Sequence, residues 1–140
     1  MDNNYATVST ATRPVRVFFA DDDPDDSLLF ELVLRQQVPE SEFYWFENGQ
    51  SLLIALKSGS TCPDVIFLDL NMPILNGAET YHHLQQCPDW SAIPTLLLTG
   101  SEDRDYLATV HQIPLDRWHQ KPSSIPELAD IIGKHLPKTW

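Results

Sequence analysis

Short apolar runs alternate with segments of helical periodicity along most of the chain. The apolar runs predict strands at Val15–Ala20, Phe43–Phe46, Val65–Leu68 and Thr95–Leu98, with a short fifth strand at Arg117–His119. Helical spacing follows each strand, in residues 27–37, 52–56, 77–86, 105–112 and 128–136. This alternation favours a parallel sheet with helices on both faces. The expected fold class is α/β, a doubly wound five-stranded parallel sheet in three layers.

The first helix has a clear start signal. Asp23 directly before Pro24 fits an N-cap followed by proline at the first helical position. Asp25 and Asp26 then fall in the first turn, where carboxylates interact favourably with the helix dipole. The stripe predicted to face the core consists of Leu28, Leu29, Leu32 and Val33.

Length and charge narrow the possible classes of protein. The 140 residues fit one domain, with residues 1–13 as a flexible polar N-terminal arm and residues 14–140 as the folded part. A net charge of −11 disfavours nucleic acid or an anionic membrane as partner. No apolar run is long enough to span a membrane, and no secretory signal is visible. Cys62 and Cys87 lack the spacing of a zinc site or a disulfide framework. A cytoplasmic location is expected.

Acidic side chains follow two of the predicted strands. Asp21 and Asp22 come directly after the first strand, and Asp69 follows the third. In a parallel sheet these ends share one edge, where ligands bind. Two like charges 4 Å apart cost ~4 kcal/mol at an effective dielectric of 20. One group therefore protonates or a cation binds, and oxygen ligands without His or Cys favour Mg²⁺.

The same strand ends offer groups for phosphoryl chemistry. A carboxylate such as Asp69 beside a divalent ion can attack phosphorus and form an aspartyl phosphate. Lys121, after the fifth strand, supplies a positive charge, and the Thr99 hydroxyl can donate a hydrogen bond to a phosphoryl oxygen. Gly100 next to it leaves space for that group.

These motifs resemble the receiver domain of bacterial two-component response regulators. The matching motifs are the acidic pair Asp21-Asp22, Asp69 in DLNMPILNG, Thr99 followed by a small residue, and Lys121-Pro122. The resemblance runs from about Arg13 to Leu136. It implies a flavodoxin-like (βα)5 fold with strand order 2-1-3-4-5.

The resemblance also implies roles for the acidic residues. Asp69 would be the phosphoacceptor. Asp22 and Asp69 would bind Mg²⁺ directly, together with the backbone carbonyl of Asn71, whereas Asp21 would act mainly through bound water.

Three further residues take roles by the same resemblance. Thr99 and Lys121 would hold the phosphoryl group. Trp118, three positions before the lysine, would be an aromatic switch that responds together with Thr99. The alternative for Trp118 is an ordinary packed aromatic of the fifth strand, and both interpretations stay open.

The fifth-strand region departs from the common family pattern. The segment IPLDRWHQKP is unusually polar and lacks the glycine-alanine run that often precedes this strand. Because receivers usually signal through the face formed by the fourth helix and the fifth strand, the departure points to an unusual partner. His119 and the pair His82-His83 are expected to be exposed and not to bind metal.

The expected function is that of a stand-alone receiver and not of a multiple-turnover enzyme. A histidine kinase or phosphotransfer protein would donate the phosphoryl group, and the signal would pass to a downstream protein by contact. About four residues follow the last helical stripe, so no output domain is expected. Asn71 and Ser101 flank the expected water path and are candidates for setting the phosphoryl lifetime.

Two other functions stay open on the sequence alone. A haloacid-dehalogenase-like phosphatase would use Asp21 as nucleophile and Asp23 as acid, although Pro24 replaces the residues that such motifs prefer. A degenerate receiver would act only as a binding module, although all the key side chains are present.

Overall fold

Five parallel strands form a single sheet in the order β2-β1-β3-β4-β5. A computed structural model describes residues 13–101 and 103–137, so the predicted N-terminal arm lies outside the described residues except for Arg13. The strands are β1 (Arg16–Ala20), β2 (Glu42–Phe46), β3 (Val65–Asp69), β4 (Thr95–Thr99) and β5 (Trp118–Gln120). The predicted fold class and strand order are both confirmed.

Helices cover both faces of the sheet. They are α1 (Pro24–Gln37), α2 (Gly49–Ser58), α3 (Gly77–Gln85), the short α4 (Pro88–Ser91), α5 (Arg104–His111) and α6 (Ile125–His135). Helices α1 and α6 pack on one face, and α2, α3 and α5 pack on the other. None of the described helices is both long and apolar enough to cross a membrane.

The central strands are apolar along their whole length because both of their faces are covered. Every residue of β3 and of β4 is buried. In β1, Phe18 faces the cluster under α2 and α3, while Val17 and Phe19 face the cluster under α1 and α6. This alternation gives the protein two cores, one on each side of the sheet.

The predicted core stripe of α1 is wrong at three of its four positions. Leu28, Leu29 and Leu32 are 58%, 39% and 55% exposed, and only Val33 is buried. They leave an apolar strip on the outer surface of α1, which we call the leucine surface.

Aromatic packing explains the rotation of α1. Phe30 stacks on Phe19 of β1 with 4.3 Å between ring centroids, and it meets Phe67 of β3 edge-on at 5.0 Å. With Phe30 fixed against the sheet, Val33 and Leu34 also turn inward. Burial of this large ring takes precedence over burial of Leu28, Leu29 and Leu32, which stay on the exposed side of the helix.

Element boundaries differ from the predictions by one to three residues, and one short helix is additional. The short helix α4 was not predicted; it begins at Pro88, which suits a first helical position. Arg117 belongs to a 3₁₀ turn over Leu115–Arg117, so β5 starts one residue later than expected.

The expectation that the histidines are exposed holds only for His83. His82 is half-buried and its Nε2 donates to the carbonyl of His111. His119 on β5 and His135 on α6 are half-buried, and their Nε2 atoms lie 3.0 Å apart. Burial lowers the pKa of both, that of His135 to about 4, with the neighbouring His119 and Lys134 acting in the same direction.

The histidine pair predicts a stability loss in mild acid. Because the folded chain keeps His135 neutral, the unfolded chain binds more protons between the ordinary pKa of 6.5 and about 4. The His135 contribution is therefore complete above pH 6.5 and disappears as the pH falls towards 4. Relative to His135→Gln, the wild type should lose about 1–2 kcal/mol over this range, after allowance for solvent.

Urea unfolding at several pH values measures that difference. His83→Gln, a change at an exposed histidine, serves as the control and should track the wild type. Parallel pH profiles for the wild type and His135→Gln would contradict the assignment.

Candidate functional site

The carboxylates predicted to converge do lie together at the carboxyl edge of the sheet. Asp21 follows β1 and Asp69 ends β3, and these strands pair directly, with Ala20 opposite Leu68. Oxygens of Asp21, Asp22 and Asp69 all lie within 4.8 Å of one another. Asp21 and Asp69 are buried, whereas Asp22 is exposed. The edge therefore concentrates negative charge that water only partly solvates.

The Lys121 ammonium lies within this acidic group. Its Nζ is 3.0 Å from Asp26, 3.1 Å from Asp69 and 3.3 Å from Asp21. The Lys121 backbone amide donates to the carbonyl of Thr99 at 2.7 Å, which continues the pairing of β4 with β5 beyond the strand. Backbone pairing thus places the Lys121 ammonium beside these carboxylates. Of the residues that the structure describes, Lys121 is the only cation in contact with them.

Burial raises the pKa of both strand-end carboxyls. The pKa of Asp21 rises to about 7, with the charge of Asp69 adding to the effect and the Asp23 backbone amide and Lys121 opposing it. Burial raises the pKa of Asp69 as well, against the attraction of Lys121. For Lys121 burial acts the other way, but its bond to Asp26 and the charges of Asp69 and Asp21 raise its pKa overall.

Backbone hydrogen bonds hold Asp21 in place. Its amide donates to Phe46 of β2 at 3.0 Å, and its Oδ1 accepts from the amide of Asp23 at 2.9 Å. The indole of Trp45, on β2, donates to the Asp21 carbonyl at 2.7 Å. Sequence reasoning missed Trp45, although its place near the end of a strand beside β1 was a usable signal.

Gly77 allows α3 to begin directly behind Asp69. A Cβ atom at this position would lie 2.5 Å from the carbonyl oxygen of Asp69, so any side chain would clash with the backbone. The amide of Gly77 donates to Leu70 at 2.9 Å, and Asn76 caps the helix in a reciprocal pair with Glu79. Glycine here fixes the loop that follows the acidic residue.

Thr99 ends β4 next to the acidic group. It is buried, and its hydroxyl accepts from the amide of Ser101 at 3.1 Å. The pairing of β3 with β4 places Asp69 opposite Leu98, one residue before Thr99. Gly100 and Asn71 are exposed at the same edge.

Trp118 is packed in the core. Its side chain is completely buried under the α2–α3 side of the sheet, and its indole donates to the carbonyl of Ile113 at 3.3 Å. This position agrees with the packed-aromatic interpretation and describes an inward arrangement of the ring.

The contact between Asp26 and Lys121 was not predicted from the sequence. The predicted helix start is confirmed, with Asp23 as N-cap accepting from the amide of Asp25 and Pro24 in the first turn. That geometry turns Asp26 towards Lys121, while the sequence indicated only an interaction with the helix dipole.

The buried carboxyl of Asp21 predicts a stabilising substitution. Burial disfavours the charged form of Asp21, so ionisation of Asp21 lowers the stability of the fold progressively as the pH rises from about 4 to about 7. Asp21→Asn should therefore raise the free energy of unfolding of the metal-free protein at pH 8 by about 1–3 kcal/mol.

Urea unfolding with a chelator at pH 8 and pH 4.5 tests this. The gain should shrink at pH 4.5, and the exposed Asp89→Asn should show no gain at either pH. An Asp21→Asn variant less stable than the wild type at pH 8 would contradict the charge assignment.

Comparison with known proteins gives the same family throughout. The family model for the response regulator receiver domain matches residues 17–133. The chain is 25% identical over 124 residues to response regulator Rcp1 of Synechocystis sp., covering 85% of this chain and 84% of that protein. It is 26% identical over 124 residues to stress response regulator protein 1 of Meyerozyma guilliermondii, covering 86% of this chain but only 56% of that protein.

Solved structures agree in fold. The phosphorylated cyanobacterial phytochrome response regulator RcpA matches with a TM-score of 0.75 at 22% identity, covering 90% of this chain and all of that one. The Mn²⁺-bound form of Rcp1 matches with a TM-score of 0.73 at 25% identity, covering 86% and 91%. The chemotaxis response regulator CheY4 of Vibrio cholerae matches at 0.73 with 21% identity, covering 87% and 98%.

Proposed function

Since this chain belongs to the response regulator receiver domain family, we propose that Asp69 accepts a phosphoryl group in two-component signalling. Phosphorylation and Mg²⁺ are typical of this family. The observation that carries the proposal is the position of Asp69, which lies at a strand end beside two further carboxylates and 3.1 Å from Lys121. We assign the receiver to residues 14–140 and the polar segment 1–13 to an arm.

The acidic group suits a hard divalent cation such as Mg²⁺. Its oxygens lie within 4.8 Å of one another, and the group consists of carboxylates alone. Asp22 and Asp69 would hold the ion directly with the Asn71 carbonyl, and Asp21 would hold it through water. Mn²⁺ binding by the related Rcp1 supports a divalent site. A bound Mg²⁺ offsets negative charge on a transferring phosphoryl group.

Protein side chains would supply the remaining steps. An Asp69 oxygen attacks phosphorus while the bond from phosphorus to the donor breaks. Lys121 then moves a hydrogen bond onto a phosphoryl oxygen, and the Thr99 hydroxyl donates a second one. These two contacts give ~3–5 kcal/mol in favour of the phosphorylated arrangement, which supports a partial shift of the population.

The switch would involve Thr99 and Trp118. Thr99 now accepts from Ser101, so rotation of its hydroxyl towards Asp69 would pull the loop after β4. Trp118 is buried beneath this region, and its movement would follow the loop. Asn71 and Ser101, both exposed at the site, remain our candidates for setting the phosphoryl lifetime.

The leucine surface supports a protein as phosphodonor. Leu29 lines a pocket with Pro122 and Ile125, and Lys121 and Asp26 form part of the same wall. Large exposed apolar patches mark protein interaction sites. We therefore propose that a histidine kinase or phosphotransfer protein docks here and presents a phosphohistidine to Asp69.

The output is proposed to pass to a downstream protein by contact, in the cytoplasm and without nucleic acid or membrane as partner. The negative net charge of −11 supports this choice. The α5 side of the chain exposes Tyr106, Val110 and Leu115, which could contact such a target.

The phosphatase alternative has less support. Asp21 is its required nucleophile, and both of its side-chain oxygens are already bonded, one to the Asp23 amide and one to Lys121. Asp23, its required acid, is engaged as the N-cap of α1. A binding-only receiver is disfavoured because the acceptor, the group of three carboxylates and the lysine are all present.

Phosphorylation of Asp69 is the decisive expectation. With Mg²⁺ and a small-molecule phosphodonor, intact-mass spectrometry should show a gain of one phosphate on the wild type and none on Asp69→Asn. The loss is expected because an amide is a far weaker nucleophile towards phosphorus than a carboxylate.

Asp89→Asn, which neutralises an exposed acid in α4, should label like the wild type. Chelation of Mg²⁺ should abolish labelling. Equal labelling of Asp69→Asn would contradict the proposal, and repeated turnover of a phosphomonoester would favour the phosphatase.

A further inference from the structure

Asp26 contacts Lys121 from outside the sheet. It belongs to the first turn of α1, and its Oδ2 lies 3.0 Å from Lys121 Nζ, a shorter contact than those of Asp69 and Asp21. An ammonium group has three N–H donors. Here Lys121 Nζ donates to Asp21 and Asp26 and lies 3.1 Å from an oxygen of Asp69, so three carboxylates share its charge.

A phosphoryl group on Asp69 needs a donor from Lys121. A phosphoryl oxygen therefore competes with the carboxylates that Lys121 already bonds. The side chains of Asp21 and Asp69 are 1% and 5% exposed, whereas that of Asp26 is 41% exposed. Water can replace the lost bond only at Asp26, so its release costs the least.

We propose that Asp26 is a positioning residue that competes with the phosphoryl group for Lys121. In the unphosphorylated protein it holds the ammonium on the α1 side of the site. In the phosphorylated protein Lys121 leaves Asp26 for a phosphoryl oxygen, and Asp26 turns to solvent. Asp26 thereby lowers the affinity of the site for a phosphoryl group. The free-energy difference between the unphosphorylated and phosphorylated proteins becomes smaller.

The same exchange connects the acceptor to the leucine surface. Asp26 precedes Leu28 and Leu29 on α1, and it lines the pocket that Leu29 and Ile125 form. Loss of the bond to Lys121 therefore leaves the Asp26 carboxylate without its cation beside the proposed docking surface. A donor protein would meet a different surface before and after transfer.

The inference rests on the proposed function, and binding of beryllofluoride, a phosphoryl analogue, tests it. Isothermal titration calorimetry at fixed Mg²⁺ compares the 140-residue wild type with Asp26→Asn and Asp25→Asn. Asp26→Asn should bind beryllofluoride about two- to fivefold more tightly, because the competing ion pair is partly exposed and of modest strength.

Asp25→Asn is the matched control. It removes the same charge from the same turn without touching Lys121, and it should bind like the wild type. Asp26→Glu, which keeps a carboxylate, should bind beryllofluoride with an affinity close to that of the wild type. A merely structural role for Asp26 would weaken binding on substitution, so a gain in affinity separates the two roles.

The outcomes divide cleanly. Unchanged or weaker binding by Asp26→Asn, or an equal gain for Asp25→Asn, would overturn the competition and leave the proposed function intact. Failure of the wild type to bind beryllofluoride, with no phosphate gain on Asp69, would overturn the proposed function itself.

Discussion

The site depends on one ammonium group held among carboxylates that come from two strands and a helix. Lys121 reaches this position because its backbone amide pairs with Thr99 at the end of β4. Burial raises the pKa of Asp21 and of Asp69, and the positive charge of Lys121 opposes that rise at both residues. The parallel sheet brings the acids together, and the lysine favours their ionised forms.

The features proposed to bind the metal ion and the donor protein lower the stability of the fold. Burial raises the pKa of Asp21 to about 7, so the fold holds a charge that it would be more stable without. The leucine surface is a second cost, since Leu28 and Leu32 are more than half exposed. Both costs concern one part of the chain, since Asp21 lies three residues before the start of α1. Strain of this kind is expected where a chain must bind a ligand and a partner at one edge.

Apolar runs and strand-end carboxylates are local signals, and they predicted the parallel sheet and the convergence of the acids. The strand order was implied by the family resemblance. Prediction from the sequence failed at the rotation of α1, since stacking of Phe30 on Phe19 is a tertiary choice that helical spacing does not encode. The contact of Asp26 was hidden for a related reason. On the sequence alone, interaction with the helix dipole was a sufficient explanation for Asp26. The contact with Lys121 is visible only in the folded structure.

The central claim is that carboxylates from the ends of β1 and β3 hold one divalent ion beside Asp69. Paramagnetic Mn²⁺, titrated into ¹⁵N-labelled protein, tests this most directly because amide signals broaden with proximity to the ion. The account predicts that the amides around Asp21, Asp22 and Asp69 broaden first, while those around His135 stay sharp. Broadening centred on another acidic stretch, such as Asp103 and Asp105, would contradict it.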